Sequence, residues 1–574
     1  MINQSLADAF SRIADLMEIS GDGGFRVNSY RRVARFLESH PTNIAVAAAD
    51  GTLTDLPGIG KGTADKIVEF IATGRIKLLD ELASKLPPGL PELLRIPGLG
   101  PKKVAAIHQA LSVTGMDDLK RVIESGELAQ LPGFGEQSVK RIAEGLVFAE
   151  QSGERSPMGI AWPIARALAD AVAELKGVQR VEVAGSLRRG AETIGDVDLL
   201  CECADGGPVV TAFTEFPTVK RVLARGDTKG SVTVGIEREK ELKVDLRVVP
   251  AESFGAALQY FTGSKEHNVR LREIAIGKKW RLNEWGLFDG EKQIAGKTEE
   301  SIYKKLGVVW VPPEIREHAG EFDLHETPTL VTTDDIRGDL HVHTTASDGK
   351  STIDEMAEAA KARGYEYLAI TDHSQSSRIA NGLTIERMKQ HLADVRAADK
   401  RIKGITLLTG CECDILTDGK LDYPDDILAE CDIVVASIHS AMTGGQRTPT
   451  ERLIAAMENR YVTIIGHATG RLLGTRPPME MDMPRVVQAA AETGTAMEIN
   501  ASWQRLDLKS DHVRLAIAAD VMLTIDTDSH RAEGLAQIDL GIRTARRGWA
   551  TASHVLNTRP LDALRQWTAK KRQK

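Results

Sequence analysis

Apolar positions in the first 150 residues recur at the spacing of amphipathic helices. The clearest stretches are Ile2 to Ile19, Arg26 to Ser39 and Ala64 to Ile71, in which apolar residues fall three or four positions apart. A turn of the form apolar-Pro-Gly-apolar-Gly occurs three times here, at Leu56–Gly60, Ile96–Gly100 and Leu131–Gly135. A helical pattern follows each turn, over Thr63–Phe70, Lys102–Leu111 and Gln137–Phe148. The pattern therefore predicts a repeated helix, tight turn and helix.

From about Ile160 the pattern changes to a helix followed by β-rich runs. The helix is predicted over Trp162–Leu175. The predicted strands are Val178–Val183, Asp196–Glu202, Ser231–Ile236 and Lys243–Val249. A mixed segment over residues 251–311 follows, and then a polar stretch around Pro328 that is typical of a linker. An α+β region that ends in a linker is predicted.

Short β runs alternate with helical stretches from Gly338 to the end of the sequence. The predicted strands are Tyr367–Ile370, Thr406–Thr409, Ile433–Ala436, Thr463–Ile465, Ala496–Ile499 and Met522–Thr524. Helices such as Thr352–Arg363 and Arg485–Thr493 lie between them. Regular alternation over more than 200 residues favours a β/α barrel, in which the carboxyl ends of the strands meet on one face.

Composition places the chain among multidomain globular proteins. Its 574 residues suggest about three to five domains at roughly 150 residues each. With 42% hydrophobic and 27% charged residues, collagen-like, coiled-coil and disordered chains are excluded. The 73 Lys and Arg against 81 Asp and Glu give a net charge of −8, which argues against a histone-like or polybasic membrane-surface protein.

Cysteine usage and the first residues suggest a reducing, cytoplasmic location. The five cysteines form no dense framework, and the start MINQSLADAF lacks the apolar core of a signal peptide. Apolar runs are far shorter than the ~20 residues that span a bilayer, so no membrane partner is expected. Cys201-x-Cys203 and Cys411-x-Cys413 lack zinc-ribbon spacing, and buried thiols are the favoured interpretation over metal ligands.

The repeated turns suit the backbone of a nucleic acid. Their glycines let the chain approach another molecule closely, and each following helix presents unpaired N–H groups that suit a phosphate oxygen. A single copy is more often a plain connection, but three copies favour binding. They resemble helix-hairpin-helix motifs, which grip DNA backbones without reading base sequence. The resemblance implies DNA contacts at Gly58, Gly60, Gly98, Gly100, Gly133 and Gly135.

Three aspartates mark a candidate phosphoryl-transfer site. Asp196 and Asp198 are two residues apart on a predicted strand, so both carboxylates point to one face. With Asp245 from a later strand they could hold two divalent cations for in-line displacement, and Mg²⁺ suits such oxygen ligands. Ser186 and Arg189 lie just upstream, where a hydroxyl and a guanidinium could bind a triphosphate.

The string Gly185-Ser…Arg189…Gly195-Asp-x-Asp, with the later Asp245, resembles the nucleotidyltransferase superfamily. Tyr260-Phe-Thr-Gly-Ser264, Asn268 and the segment Trp280–Phe288 narrow the resemblance to family X DNA polymerases, the DNA polymerase beta group. The resemblance implies that all three aspartates bind Mg²⁺ or Mn²⁺ and that Asp245 accepts the primer 3′-hydroxyl proton. It also implies a nucleotide site whose residues are Ser186, Arg189, Gly195, Tyr260, Phe261, Gly263 and Asn268.

Lys66 matches the lysine with which this family removes a 5′-deoxyribose phosphate through a Schiff base. A lysine nucleophile needs burial or cationic neighbours that lower its pKa. A second pocket lysine of the family falls on Gly62, with Lys61 adjacent. The alternative interpretation of Lys66 is an exposed helical lysine that contacts a DNA phosphate.

Histidines and acids stand at the ends of the predicted barrel strands. His341-x-His343 places two imidazoles on one side of a strand, as a metal-ligand pair requires. Six histidines and three carboxylates converging at one barrel mouth could hold two or three cations and polarise a phosphate. His391, His512 and His554 lie outside these motifs and are interpreted as ordinary core or surface residues.

This set matches the polymerase and histidinol phosphatase (PHP) family residue by residue. The resemblance implies one metal held by His341, His343, Glu412 and Asp528, a second by Glu412, His439 and His467, and a third by Asp348, His373 and His530. Glu412 would bridge two of them. Zn²⁺ and Mn²⁺ both suit such mixed ligands.

The predicted architecture is multidomain, with an α-helical helix-hairpin-helix region, an α+β nucleotidyltransferase palm and thumb, and a distorted β/α PHP barrel. The predicted domains are a lyase-like helical domain (1–80), a fingers-like helix-hairpin-helix domain (81–150), a palm (151–250), a thumb (251–320), a linker (321–336) and the barrel (337–574).

The resemblance implies a monomeric, nucleoid-associated DNA polymerase that takes gapped or primer-template DNA and deoxynucleoside triphosphates. Its barrel would act as a 3′ to 5′ exonuclease, and base excision repair is the expected setting. Cleavage at abasic sites and 5′-deoxyribose phosphate removal are additional expected activities. Two alternatives stay open: a barrel that is a small-molecule phosphatase of the histidinol phosphate type, and a DNA-binding scaffold with decayed catalytic sites.

Overall fold

The computed structural model describes residues 2–22, 24–40, 44–96, 98–153, 155–236 and 240–573. The chain forms two compact units. One comprises residues 1–153 with the short segment Gly474–Pro477, and the other comprises residues 154–473 and 478–574. Within the described residues, no helix has both the length and the apolar character needed to cross a bilayer.

The first unit is helical. Its helices are α1 (Ile2–Ile19), α2 (Gly24–Ser39), α3 (Ile44–Ala49), α4 (Lys61–Thr73), α5 (Lys77–Ser84), α6 (Pro101–Leu111), α7 (Met116–Glu124) and α8 (Glu136–Gly153). Apolar side chains of α1 to α5 form one core around Phe10 and Leu37. A second core around Val104 and Ile142 joins α6, α7 and α8.

The three repeated turns share one backbone conformation. The first glycine of each, Gly58, Gly98 and Gly133, has φ of +80°, +89° and +88°, a region that residues with a Cβ rarely adopt. The second glycine directly precedes α4, α6 or α8. Each turn is thus followed directly by a helix. Because the residue before the helix is glycine, it has no side chain that could cap the first helix amides.

The second unit begins with an α+β palm. Its elements are β1 (Ser156–Pro157), α9 (Met158–Ala173), β2 (Arg180–Val183), α10 (Gly185–Arg188), β3 (Thr193–Ile194), β4 (Asp196–Glu202), α11 (Gly206–Thr214), β5 (Val219–Arg225), β6 (Lys229–Gly235) and β7 (Glu241–Val249). The main sheet has the order β2-β4-β7-β6-β5, with β4 and β7 parallel. The sequence pattern missed β5, because this edge strand is almost entirely exposed and carries cationic side chains instead of an apolar face.

The thumb follows the palm directly. Its elements are α12 (Phe254–Thr262), α13 (Lys265–Gly277), β8 (Arg281–Asn283), β9 (Gly286–Asp289), β10 (Lys292–Ala295) and α14 (Glu299–Leu306). The stretch predicted as a linker is packed, because Leu330 and Val331 are buried. Its first residue, Glu321, is also buried, 2.7 Å from Nδ1 of His267.

A seven-stranded parallel sheet of order β11 to β17 forms the rest of the unit. Its elements are β11 (Gly338–Val342), α15 (Ile353–Ala362), β12 (Tyr367–Ile370), α16 (Ile385–Arg401), β13 (Thr406–Asp414), α17 (Asp425–Leu428), β14 (Ile433–Ser437), α18 (Pro449–Met457), β15 (Ile464–Ile465), α19 (Met483–Thr493), β16 (Ala496–Asn500), α20 (Ser510–Ala518), β17 (Leu523–Asp526), α21 (Ile538–Arg547) and α22 (Leu561–Lys571). A parallel bridge between Val342 and Ser529 connects the two ends of the sheet. The sheet is therefore a nearly closed barrel.

Palm and barrel share a core within this unit. Leu506 and Leu540 of the barrel belong to the same buried apolar cluster as Val197 and Leu246 of the palm. Arg471 donates two hydrogen bonds to the carboxylate of Glu192, at 3.1 and 2.6 Å. The barrel is thus docked on the palm by both apolar and ionic contacts.

Candidate active sites

The three palm aspartates lie on two neighbouring parallel strands. Asp196 and Asp198 are on β4, and Asp198 pairs in register with Asp245 on β7. The amide of Ala184 donates to the carbonyl of Asp198 at 2.8 Å, which holds the start of α10, with Ser186, beside the acidic pair. The sheet therefore brings the predicted carboxylates and the predicted triphosphate residues to one edge.

Two lysines offset only part of the charge of the three aspartates in this structure. Nζ of Lys243 lies 3.5 Å from Asp196 and 3.3 Å from Asp245, and Lys229 lies 3.4 Å from Asp245. Burial, together with the charges of Asp196 and Asp245, raises the pKa of Asp198 to about 6. Burial alone would raise the pKa of Asp245, but the Ser231 hydroxyl and the two lysines lower it on balance. This excess of negative charge is the environment that divalent cations favour.

One oxygen supports the fit of a cation at this site. Oδ1 of Asp245 is buried and has no hydrogen-bond partner in the part of the chain that the structure describes. The three carboxylates do not meet as tightly as a formed metal shell. Among the described residues, groups of three or more candidate ligand atoms that lie within 4.8 Å of one another occur only in the barrel.

The predicted nucleotide residues surround the same edge. Arg189 donates to Glu317 at 2.9 Å and to the carbonyl of Thr262 at 2.6 Å. Tyr260 and Phe261 pack edge to face, with ring centroids 5.1 Å apart. Asn268 donates to the carbonyl of Tyr260 at 2.7 Å. Gly195 is exposed directly before Asp196, and Gly263 ends α12 beside Arg189.

The nine predicted barrel ligands converge at the mouth of the barrel. His341, His343 and Glu412 are fully buried, whereas the side chains of Asp348 and His530 keep 31% and 34% of their surface exposed. The cluster thus has a buried floor and a partly exposed rim.

Distances within the cluster centre on Glu412. One carboxylate oxygen, Oε1, lies 2.8 Å from Nε2 of His467 and 3.2 Å from Nε2 of His439. The other, Oε2, lies 2.8 Å from Nδ1 of His373 and 3.6 Å from Nε2 of both His341 and His343. Glu412 is therefore positioned to bridge two metals.

The grouping of the ligands differs in detail from the three predicted sets. Three groups of candidate ligands lie within 4.8 Å: His343 with Asp348, His373 and His530; His341 with His343 and Asp528; and His373 with Glu412 and His439. His343 and His373 each belong to two groups, because their rings stack at a centroid distance of 4.3 Å.

Unsatisfied buried atoms support a metal centre here. Among the described residues, several buried ligand atoms form no hydrogen bond, namely Nε2 of His341, both ring nitrogens of His343, Nδ1 of His373 and Oε2 of Glu412. The last two atoms lie 2.8 Å apart but are not aligned for a hydrogen bond. Such atoms are costly to bury unless a ligand pairs with them. Burial and the charge of His530 lower the pKa of His343 to about 4, and burial and Arg505 lower that of His467 to about 4. Both imidazoles are therefore neutral, as metal ligation requires.

Sequence reasoning missed the residues that orient these ligands. Glu498 lies 2.6 Å from Nδ1 of His341, and Asp414 lies 2.5 Å from Nδ1 of His439. Carboxylates in this position fix the tautomer and orientation of a ligating histidine. A signal was present, because Asp414 follows Glu412 by two residues on one strand and Glu498 is a lone acid in an apolar strand.

Arg505 is a further missed residue. Its Nε lies 3.3 Å from Asp528, and it lines the cleft over the cluster together with Ser377 and Arg378. Its buried Nη1 has no hydrogen-bond partner within the described ranges. It follows no strand directly, so neither its spacing nor a motif marked it.

The helical unit carries the remaining predicted residues. Lys66 lies on α4 and is partly exposed, and its Nζ donates a hydrogen bond to the main-chain carbonyl of Gly62 at 2.9 Å. Lys66 is therefore not fully buried, as a lysine nucleophile activated by burial alone would be. In the second unit, all five cysteines of the chain are buried free thiols, as the sequence predicted.

Comparison with known families and proteins extends these observations. Family models match as DNA polymerase beta thumb (residues 257–317), PHP domain (339–502), helix-hairpin-helix domain (1–76) and SAM-like helix-hairpin-helix tandem (90–147). The DNA polymerase/3′-5′ exonuclease PolX of Bacillus subtilis is 40% identical over 555 residues, which is 96% of each chain. A probable phosphatase of Caldanaerobacter subterraneus is 31% identical over 41% of this chain and 92% of its own, and one of Shewanella sediminis is 31% identical over 39% and 89%.

The order of these matches follows the order of the folded regions. Helix-hairpin-helix segments precede the thumb, and the PHP match spans β11 to β16 with seven of the nine cluster residues, while Asp528 and His530 follow it. The predicted family, fold class and class of enzyme are thereby confirmed. The chain belongs to the family X DNA polymerases that carry a PHP domain.

Proposed function

We propose that the protein fills short gaps in DNA by template-directed transfer of deoxynucleotides and removes nucleotides from DNA 3′ ends with its barrel. The observation that carries the proposal is the presence, in one chain, of two separate clusters of candidate metal ligands: three aspartates on β4 and β7, and six histidines with three carboxylates, centred on Glu412, in the barrel. The Bacillus relative, similar over nearly its whole length, is named for both activities. Base excision repair, at the nucleoid in the cytoplasm, is the proposed setting.

In the palm, the chain binds and orients the reactants. Arg189 and Ser186 bind the triphosphate, and Gly195 lets it approach the sheet. Tyr260, Phe261 and Gly263 line the sugar pocket, and Asn268 contacts the incoming base. Oδ1 of Asp245 accepts the proton of the primer 3′-hydroxyl. Mg²⁺ or Mn²⁺ held by Asp196, Asp198 and Asp245 would supply the positive charge that stabilises the transferring phosphoryl group.

In the barrel, the rim residues receive the 3′ end of a strand. Arg505 binds an oxygen of the scissile phosphodiester, since its buried Nη1 is unpaired and a guanidinium suits a phosphate. Asp414 and Glu498 keep His439 and His341 oriented. Two or three Zn²⁺ or Mn²⁺ ions held by the nine ligands would supply a hydroxide and polarise the phosphate.

DNA is held by the helix-hairpin-helix turns. The backbone amides at the N-termini of α4, α6 and α8, which follow these turns, suit phosphate oxygens of any sequence. Lys66 contacts a DNA phosphate or serves as the lyase nucleophile; reduction with borohydride on DNA bearing a 5′-deoxyribose phosphate separates the two, because only the lyase leaves a covalent Lys66 adduct.

A second function is favoured for the barrel by the phosphatase relatives, each similar over about two-fifths of this chain. In that case the barrel removes a terminal phosphomonoester. A strand labelled at its 3′-terminal internucleotide phosphate separates the two functions. The exonuclease releases labelled deoxynucleoside monophosphate, whereas the phosphatase releases inorganic phosphate only from a 3′-phosphorylated end and from histidinol phosphate.

The polymerase function is tested on a primer that borders a one-nucleotide gap. With Mn²⁺ and the complementary deoxynucleotide, we expect extension by one residue, and with a non-complementary one we expect far less. A protein that binds the gapped DNA yet neither extends nor shortens it would be the scaffold, and both proposed activities would be abandoned.

A further inference from the structure

The palm loop that carries Arg189 lies directly on a barrel helix. Gly190, the next residue, has φ of +68°, and a Cβ at this position would come within 3.2 Å of Cβ of Arg543 on α21. Only glycine fits without strain. Loop and helix belong to the same compact unit, so the position of the loop depends on the barrel.

Arg189 shares a carboxylate with an arginine of that helix. Nε of Arg189 donates to Oε1 of Glu317 at 2.9 Å. Nη1 of Arg547, the last residue of α21, donates to the same oxygen at 2.8 Å and to the main-chain carbonyl of Arg189 at 2.8 Å. The side chains of Arg189, Arg547 and Glu317 form a triad in which they are 15%, 18% and 31% exposed, so solvent screens its charges only in part.

The triad decides how freely Arg189 can bind a triphosphate. Glu317 competes with the nucleotide for the Arg189 guanidinium, because both are anions. While Arg547 is present, the charge of Glu317 is divided between two guanidiniums and the backbone of Arg189 is held. Without Arg547, the whole charge of Glu317 acts on Arg189 and draws it away from the nucleotide.

We propose that Arg547 of the barrel is a positioning residue of the polymerase site, which sets the affinity of the palm for the deoxynucleoside triphosphate by sharing Glu317 with Arg189. This inference rests on the proposed polymerase function. It makes the barrel part of the nucleotide site and gives a chemical reason for the docking of the two domains.

Arg546 provides a matched control. It belongs to the same helix and makes an equivalent ion pair, with Glu314 at 2.7 and 3.3 Å, and it donates to the carbonyl of Val331 at 3.1 Å. Within the part of the chain that the structure describes, Arg546 forms no hydrogen bond or ion pair with Arg189 or Glu317. Arg546→Ala therefore removes a comparable attachment of the barrel and leaves the triad intact.

The test compares single-nucleotide gap filling by the full-length variants. Arg547→Ala should raise KM for the nucleotide about tenfold, because the whole charge of Glu317 then acts on Arg189, with kcat within about twofold. Arg546→Ala should leave KM unchanged, and Arg547→Lys should restore part of the affinity. In a Glu317→Gln background, Arg547→Ala should raise KM less than threefold, because the competing charge is gone.

Binding of a non-hydrolysable deoxynucleotide analogue with Mg²⁺, followed by calorimetry, provides a readout independent of turnover. Equal KM shifts in Arg547→Ala and Arg546→Ala, or no shift in either, would overturn the inference. If Arg547→Ala unfolds, the comparison between Arg547→Lys and Arg547→Gln decides: only the uncharged variant should weaken analogue binding. Failure of the wild-type protein to extend any primer would instead remove the proposed polymerase function.

Discussion

At the scale of single residues, Asp414 and Glu498 each hold one ring nitrogen of a histidine whose other nitrogen faces Glu412. The motif residues of the cluster could be found in the sequence because they follow strand ends in short, unusual strings. Their supporting carboxylates could not be assigned, because Glu498 acts on His341 at a distance of 157 positions along the chain.

Asp414→Asn should weaken metal binding by the barrel about 10- to 100-fold, the usual effect of removing a carboxylate behind a ligating histidine. The amide is isosteric, so the loss would come from the orientation of His439 and not from a cavity. Competitive titration with a metal-binding dye measures it. Asp418→Asn, a partly exposed position four residues on, is the control, and equal affinities in both variants would contradict this role of Asp414.

Glu299 is a second residue whose charge has a structural task. It is buried between Arg188, at 2.8 and 2.9 Å, and Arg316, at 2.6 and 3.2 Å. Burial opposes ionisation, but the two guanidiniums lower the pKa of Glu299 to about 2. The ion network ties α10 of the palm to the thumb.

Glu299→Gln should lower the free energy of unfolding by about 3–5 kcal/mol at pH 7, since two buried cations lose their counter-charge. The pKa of Glu299 is lower in the folded state than its ordinary 4.5. Its contribution is therefore complete above pH 4.5 and is lost as the pH falls toward 2. Urea midpoints of the two proteins should differ by a constant amount between pH 7 and 5 and converge below 4.5. If Glu299→Gln shifted the urea midpoint at pH 7 no more than Glu300→Gln, a change at an exposed neighbour, this stabilising role of Glu299 would be refuted.

At the scale of elements, the repeated turns and the barrel strands were predicted well because each has a strong local signal. Tyr367–Ile370 was predicted at its observed bounds, and the three helices after the turns were found within a few residues. β5 was missed because pairing in the sheet, and not its own polarity pattern, makes it a strand. The packing of residues 321–336 was also beyond the sequence, since polar stretches look alike whether docked or free.

Gly133→Ala should weaken DNA binding several-fold without favouring any sequence, because φ of +88° at this turn costs a residue with a Cβ about 1 kcal/mol or more. Fluorescence anisotropy with gapped DNA measures the affinity. Gly126→Ala is a matched control, since Gly126 has φ of +78° and, like Gly133, has open space around a Cβ, but lies outside the repeated turns. Equal losses in both variants would show general destabilisation and not a DNA contact.

At the scale of the whole molecule, the resemblance gave the order of the domains, but the docking of palm and barrel could not be predicted. The ion pair of Glu192 with Arg471 joins palm and barrel, and that of Glu317 with Arg547 joins thumb and barrel; the paired residues are 279 and 230 positions apart. No local pattern marks either partner. The roles of the palm and barrel residues remain predictions. Because the two clusters consist of different residues, a substitution in one cluster can test its role without changing the other.

The central claim is that the palm and barrel clusters are two independent active sites. The measurement is the fate of a 5′-labelled primer at a one-nucleotide gap, with Mn²⁺, with and without the complementary deoxynucleotide, for the wild type, Asp196→Ala and His341→Ala. We expect extension to be lost only in Asp196→Ala and shortening to be lost only in His341→Ala. Loss of both reactions in either folded variant, or of neither in both, would contradict the claim.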